Sequence, residues 1–177
     1  MLRVVLGLVV VVGVLGGCGA AEPAGPFPER PVEIDVGSVD PCTALTPAQQ
    51  GELGVEVGDP TGARSQEGFG AGCLWNDYDS GFNYGLRIVE QPASVFVGSP
   101  GVVVQTLAGF GAVRSTAFED SAPTCELYID TSEVGSIRVQ AQATFETEAG
   151  RPEHVEDVCS AASSVATTIV ENLRGTG

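Results

Sequence analysis

Between residues 125 and 142 the chain alternates apolar and polar positions almost one for one. Cys125, Leu127 and Ile129 alternate with Glu126, Tyr128 and Asp130. After Thr131 to Gly135 the same rhythm resumes as Ile137, Val139 and Ala141 against Arg138, Gln140 and Gln142. A period of two marks β-strands, and the interruption is rich in turn formers, so the stretch predicts a hairpin. Pairing Ile129 with Ile137 and Leu127 with Val139 gathers every apolar residue on one face. A slip of one residue would drive Arg138 into the core, so the register is well specified. The opposite face carries Glu126, Tyr128, Arg138 and Gln140 and reads as wet.

Upstream, Cys73-Leu74-Trp75 opens a strand, Asn76 to Gly81 is dense in turn residues, and Phe82, Tyr84, Leu86 and Ile88 again recur with period two. That is a second hairpin with an aromatic-rich face. The period changes to three and four at the end of the chain, where Val155, Val158, Ala162, Val165, Ala166, Ile169 and Leu173 form one stripe within Pro152 to Leu173. This predicts an amphipathic helix ending near Gly175. A short helix is expected after Thr46, whose hydroxyl can cap, with Pro47 at the first helical position, Gln49 completing a capping box and Gly54 as the stop. Gly58 to Gly72 reads as a surface loop. Residues 92–112 are ambiguous, with β-like Val95-Phe96-Val97 and Val102-Val103-Val104 beside a Gln105 to Ala108 run that suits a helix. Hairpins followed by a long helix predict an α+β domain: an antiparallel sheet with the helix packed on one face.

The remaining apolar pattern is at the start. Arg3 precedes a nearly unbroken apolar run from Val4 to Leu15, followed by Gly16-Gly17-Cys18. As a helix the run would rise about 18 Å, short of the ~30 Å hydrocarbon core, so it reads as a signal peptide covering residues 1–17 rather than a membrane span. Its ending resembles the lipobox of bacterial lipoproteins. The resemblance implies that Cys18 is acylated, becomes the mature N-terminus, and holds the protein to the extracytoplasmic face of the cell membrane. Residues 18–39, with Pro23, Pro26, Pro28 and Pro31 among small and acidic residues, read as a tether of up to roughly 60 Å in a polyproline-like state. The domain is then expected over residues 40–174.

Composition narrows the partners. The chain has 177 residues, eight Arg and no Lys against 23 acidic side chains. Loss of residues 1–17 leaves seven basic against 23 acidic groups, a formal charge of −16. Nucleic acid is therefore an unsuitable partner, and anionic lipid headgroups would repel the domain, leaving the lipid bilayer to be held through the acyl chains on Cys18.

Four cysteines besides Cys18, in a protein sent out of the cytoplasm, read as two disulfides. Cys125 shares the apolar face of its strand and Cys159 lies on the helix stripe, two surfaces that should meet. The pairing is therefore Cys125 with Cys159 and Cys42 with Cys73. No CxxC occurs and the lone His154 is not beside a cysteine, which argues against zinc. No cofactor is implied.

These residues also carry a family resemblance. Asp40-Pro41-Cys42 with Leu45-Thr46-Pro47, Gly72-Cys73 with Trp75, Cys125 in a strand and Cys159 in a terminal Ala-rich helix resemble the DUF3558 family of lipoproteins from high-GC Gram-positive bacteria. The resemblance spans about residues 38 to 173, and its motifs are structural.

Candidate chemistry is sparse. Asp77-Tyr78-Asp79-Ser80-Gly81 hints at a calcium loop, but Phe82 and Ile88 occupy positions where that loop needs Gly and Glu, so a hairpin turn is the better reading. His154 reads as a solvated first-turn residue. Glu119 with Asp120 and Glu146 with Glu148 read as solvated charges, though a hydrolase-type envelope enzyme would draw on such a carboxylate pair. Trp75 is expected in the core against a disulfide. The expectation is a binding or accessory module, not an enzyme, with an unknown protein or small-molecule partner meeting the Glu126, Tyr128, Arg138 and Gln140 face or the Gly58 to Gly72 loop.

Overall fold

The computed structural model describes residues 25–62, 69–78, 80–119, 122–144 and 154–175. A short helix α1 (Pro47–Leu53) precedes seven strands, β1 (Asp59–Thr61), β2 (Phe69–Trp75), β3 (Phe82–Val89), β4 (Val103–Leu107), β5 (Phe110–Glu119), β6 (Ala122–Ile129) and β7 (Ser136–Ala143), and the chain closes on α2 (Val155–Arg174). The strands form one antiparallel sheet in the order β1-β2-β3-β7-β6-β5-β4.

The predicted register is the observed one. Ile129 faces Ile137, Leu127 faces Val139, and Cys125 faces Ala141. Their side chains join Leu86, Ile88, Phe110, Ala112 and Trp75 on one buried face, covered by Val158, Cys159, Ala162, Val165, Ala166, Ile169 and Val170 of α2. Cys125 is bonded to Cys159, which pins helix to sheet, and Cys42 is bonded to Cys73, which pins the segment before α1 to β2. The α1 cap is also as read: Thr46 Oγ1 accepts from Gln49 N, Gln49 Oε1 accepts from Thr46 N, and Gly54 closes the helix at φ 67°. A left-handed residue at that place satisfies the last carbonyls without a Cβ clash.

Three expectations change. The Gly58 to Gly72 stretch is less loop-like than its composition suggests, because Asp59–Thr61 forms an edge strand and β2 already begins at Phe69. Pro60 is tolerated there since an edge strand leaves one side unpaired. The small residues of β2 are dictated by packing: a Cβ at Gly72 would lie 2.6 Å from Thr61 Oγ1 and 2.8 Å from Leu86 O.

The ambiguous segment 92–112 contains no α-helix. Ala93–Phe96 is a 3-10 turn and Gln105 to Leu107 belongs to β4. Ala108 (φ 50°) and Gly109 (φ 87°) make the two-residue β4–β5 turn. Positive φ at both central residues matches the right-handed twist of the flanking strands. Arg174, at the end of α2, donates to Ala108 O in this turn.

The third change concerns the segment read as a tether. Over its described part it is packed on the domain: Ile34 and Val36 are buried in the main core, and Ile34 N donates to Thr131 O at 3.0 Å. Phe27 lies where a Cβ at Gly111 would be, Pro31 likewise over Gly109, and Val36 over Gly135. Arg30 grips Asp130 through both carboxylate oxygens (2.7 and 3.1 Å) and reaches Glu133 at 2.7 Å. Glycines on the sheet thus provide the sockets for the sparse large residues of this arm, and packing begins well before Asp40.

Candidate functional site

The face of the sheet turned away from α2 divides into two halves. On one, Tyr128 of β6, Val113 of β5 and Val89 of β3 are covered by the 3-10 turn, with Ala93 buried and Phe96, Val97 and Val102 packed around them. The rings of Tyr128 and Phe96 stack with centroids 4.0 Å apart. Tyr128 is consequently only 8% exposed. The predicted wet face is therefore dry at this residue, because the segment that looked β-like folds over it instead.

Tyr128 keeps its polar end satisfied. Its hydroxyl donates to Glu126 Oε2 at 3.1 Å, and Glu126 Oε1 pairs with Arg138 Nη1 at 3.0 Å. Tyr128 and Arg138 are direct cross-strand partners, as are Glu126 and Gln140. The structure thus brings together all four residues expected to form the face. Burial pushes the Tyr128 phenol up to about 12; the Glu126 charge adds to the rise and Arg138 opposes it.

On the other half the described residues are partly exposed. Leu74 of β2, Gly85 and Arg87 of β3, Arg138, Gln140 and Gln142 of β7 and Thr61 of β1 surround a cavity of about 220 Å³. Gly85 is its floor, lying between Leu74 and Gln140 in the ladder. Arg87 and Arg138 face each other across β3 and β7. Arg87 extends over β2, its Nε 3.5 Å from the place of a Cβ on Gly72. Arg87 and Gly85 were not singled out from sequence, although the alternation that put Tyr84, Leu86 and Ile88 inside places Asn83, Gly85 and Arg87 outside. Guanidinium and amide groups hold a fixed charge or none near neutral pH, which suits recognition more than proton transfer.

The remaining candidates lie elsewhere. Asp77 is the centre of a turn: Oδ1 accepts from Ser80 N (2.7 Å), Ser80 Oγ (3.0 Å) and Gly81 N (2.9 Å), and Oδ2 accepts from Thr144 Oγ1 at 2.5 Å. Burial works to raise its pKa, but these hydrogen bonds outweigh it and hold the carboxyl below its usual range. Trp75 is fully buried beside the Cys42–Cys73 disulfide, with Gly58 packed against its indole. His154 is exposed ahead of α2 and makes no side-chain capping bond. No group of three or more His, Cys, Asp or Glu among the described residues is placed to hold a metal ion. Cys18, Asp120, Glu146, Glu148 and the side chain of Glu119 lie outside the described residues.

A family model described as "Protein of unknown function (DUF3558)" matches residues 13–172. The chain belongs to the DUF3558 family. No curated protein and no solved structure matches it. The matched region runs from the apolar start through both disulfides to the last turn of α2, so the residues of the open face lie within the DUF3558 match.

Proposed function

We propose that this DUF3558 protein is an extracytoplasmic lipoprotein, anchored through acylated Cys18, whose domain is a binding or accessory module that recognises its partner on the open half of the sheet. The observation that carries the reading is the cavity over Gly85, a built, polar concavity on a face that α2 does not need. In an antiparallel sheet one face packs on the core and the other is available to solvent. Here, among the described residues, the 3-10 turn covers part of that second face and the rest forms a concavity.

The anchor rests on the Leu15 to Cys18 sequence. No helix among the described residues is long and apolar enough to cross a membrane. Nine peptide steps separate Cys18 from Phe27, where the arm meets the domain, and span at most about 32 Å. A domain held on so short a leash works close to the bilayer, not at the far reach of a free tether.

Two measurements test the two parts. Mass spectrometry of protein from its native host is expected to find a diacylglyceryl-bearing N-terminus at Cys18; an intact residue 1–17 segment rejects the anchor. A photo-crosslinking amino acid at position 140 is expected to capture a native-membrane partner that the same probe at exposed Val134 does not. Equal capture at both positions rejects the face.

A further inference from the structure

We infer that β4 is an interface edge: it pairs antiparallel with β4 of a second copy of this chain, across a two-fold axis at Gln105. The inference is independent of the binding face proposed above, which lies toward the opposite edge of the sheet.

The two edges differ in how they are protected. Unpaired backbone groups on an edge strand are a template for another strand, and proteins blunt them with short strands, charges, prolines or bulges. β1 is blunted: it is three residues long and carries Asp59 and Pro60. β4 runs for five residues with no charge, no proline and an unbroken register against β5. Among the described residues its outer side is unpaired.

Charge decides what kind of strand fits there. The chain has eight basic side chains against 23 acidic ones, so two copies repel each other over most of their surface. Residues 91–113, which include β4, carry no Asp, Glu, Lys, Arg or His. A second copy approaches this edge without setting like charges opposite one another. A strand selected for its charge would find nothing on β4 to meet.

The turn geometry fixes the register. Ala108 and Gly109 form the two-residue β4–β5 turn, and Leu107 pairs with Phe110 across it. The hydrogen bond of the turn makes these a bonded pair, and alternation makes Gln105 with Ala112 and Val103 with Arg114 bonded pairs as well. Val104 and Thr106 therefore turn their N–H and C=O groups outward. A two-fold axis at Gln105 sets Val104 against Thr106 of the second copy and Thr106 against its Val104, so the outward groups of both copies are satisfied together. Gln105 then meets its own counterpart in the non-bonded position, where side chains come closest. An amide both donates and accepts, so glutamine can bond to a copy of itself. Val103, 46% exposed, comes opposite Leu107 of the second copy, and Val104, 43% exposed, opposite its Thr106. The axis stands perpendicular to the sheet and puts both α2 helices on one side. Since α2 packs chiefly on β6 and β7, inside β5, it leaves the edge clear. A strip this short gives an association of the weak, concentration-dependent class.

The test uses the full chain in detergent. Gln105→Cys is expected to give a disulfide-linked dimer on mild oxidation, because residues facing each other in the non-bonded position have Cα atoms about 4.5 Å apart, within the span of a disulfide. Thr106→Cys, whose counterpart lies diagonally away in this register, should stay at the collision level set by Val134→Cys at the exposed β6–β7 turn. Native mass spectrometry reads a second arm. Gln105→Glu and Gln105→Lys each place like charges across the axis and should weaken the dimer about tenfold or more. A mixture of the two, one isotopically labelled, should restore it as a heterodimer, which also shows that both variants fold. A wild-type chain that stays monomeric, Gln105→Cys crosslinking no better than Thr106→Cys or Val134→Cys, or a mixture no more dimeric than either variant overturns the proposal.

Discussion

The two faces of the sheet are built to different rules. Under α2, the side chains of Leu127, Ile129, Ile137 and Val139 are fully buried, and a disulfide ties the helix to the strand beneath it. On the reverse, among the described residues, one half is closed by a small cluster of four buried residues with Phe27 of the arm and the 3-10 turn packed against them, and the other half carries polar side chains around a glycine. Sealing a face needs a continuous apolar stripe, which α2 supplies. Shaping a face needs the opposite, a deliberate lack of side chain at one point and fixed charges at its edge. The difference teaches where stability and recognition are separated in this fold, and it can be broken one residue at a time.

The largest effect should come from the sealed face. Replacing Cys125 and Cys159 together by Ala is expected to cost about 2–4 kcal/mol, because the bridge closes a loop between residues 34 positions apart and restricts the unfolded chain. Denaturant unfolding checks this. If the double variant loses less than the half-closed reverse face loses on a single aromatic truncation, the contrast between the faces is wrong.

Much of the sealed face could be read directly from the chain, since strict alternation permits one register and a three–four period permits one helix stripe. Cys125 with Cys159 followed from those two facts alone. The reverse face was legible only in part. Tyr128 opposite Arg138 came from register, yet its burial under Phe96 did not, because Val95-Phe96-Val97 has strand-like residues in a segment too short and too interrupted to pair. The packed arm was hidden for a related reason. Ile34, Val36 and Phe27 are scattered among prolines with no period, and Val36 and Phe27 sit over glycines 135 and 111, far away in sequence. A missing side chain gives no periodic signal until its partner is known.

An intermediate effect tests the closed half of the reverse face. Phe96→Ala removes the ring stacked on Tyr128 and is expected to cost about 1–2 kcal/mol, less than a fully buried Phe because Phe96 is only partly covered. It should also change the alkaline behaviour. Burial raises both Tyr128 and Tyr84 to about 12, so the folded protein keeps two phenolic protons that the unfolded chain releases near 10. Stability from these groups is fully present below about pH 10 and is lost as pH climbs toward 12. In Phe96→Ala the Tyr128 phenol should titrate nearer 10 while Tyr84, on the helix face, stays at about 12. Tyrosinate absorbance during a pH titration follows both. Movement of both phenols together would mean that the faces are coupled through the sheet.

The smallest effect is the most discriminating, because its sign differs between two glycines on the same face. Gly72→Ala forces a Cβ to within 2.6 Å of Thr61 Oγ1 and 2.8 Å of the Leu86 carbonyl, so β1 or β3 must shift and the variant should be less stable. Gly85→Ala meets nothing nearer than 3.9 Å and replaces the residue that loses most entropy on folding. It is expected to gain about 0.5 kcal/mol, a rise of roughly 2 °C in melting temperature. Calorimetry on the pair decides the matter. Loss of stability in both would give Gly85 an ordinary packing role and remove the reason for treating the cavity above it as shaped. A gain at Gly85 beside a loss at Gly72 means the chain keeps at its centre a residue that stability alone would replace, and what that residue leaves behind is room between Leu74 and Gln140.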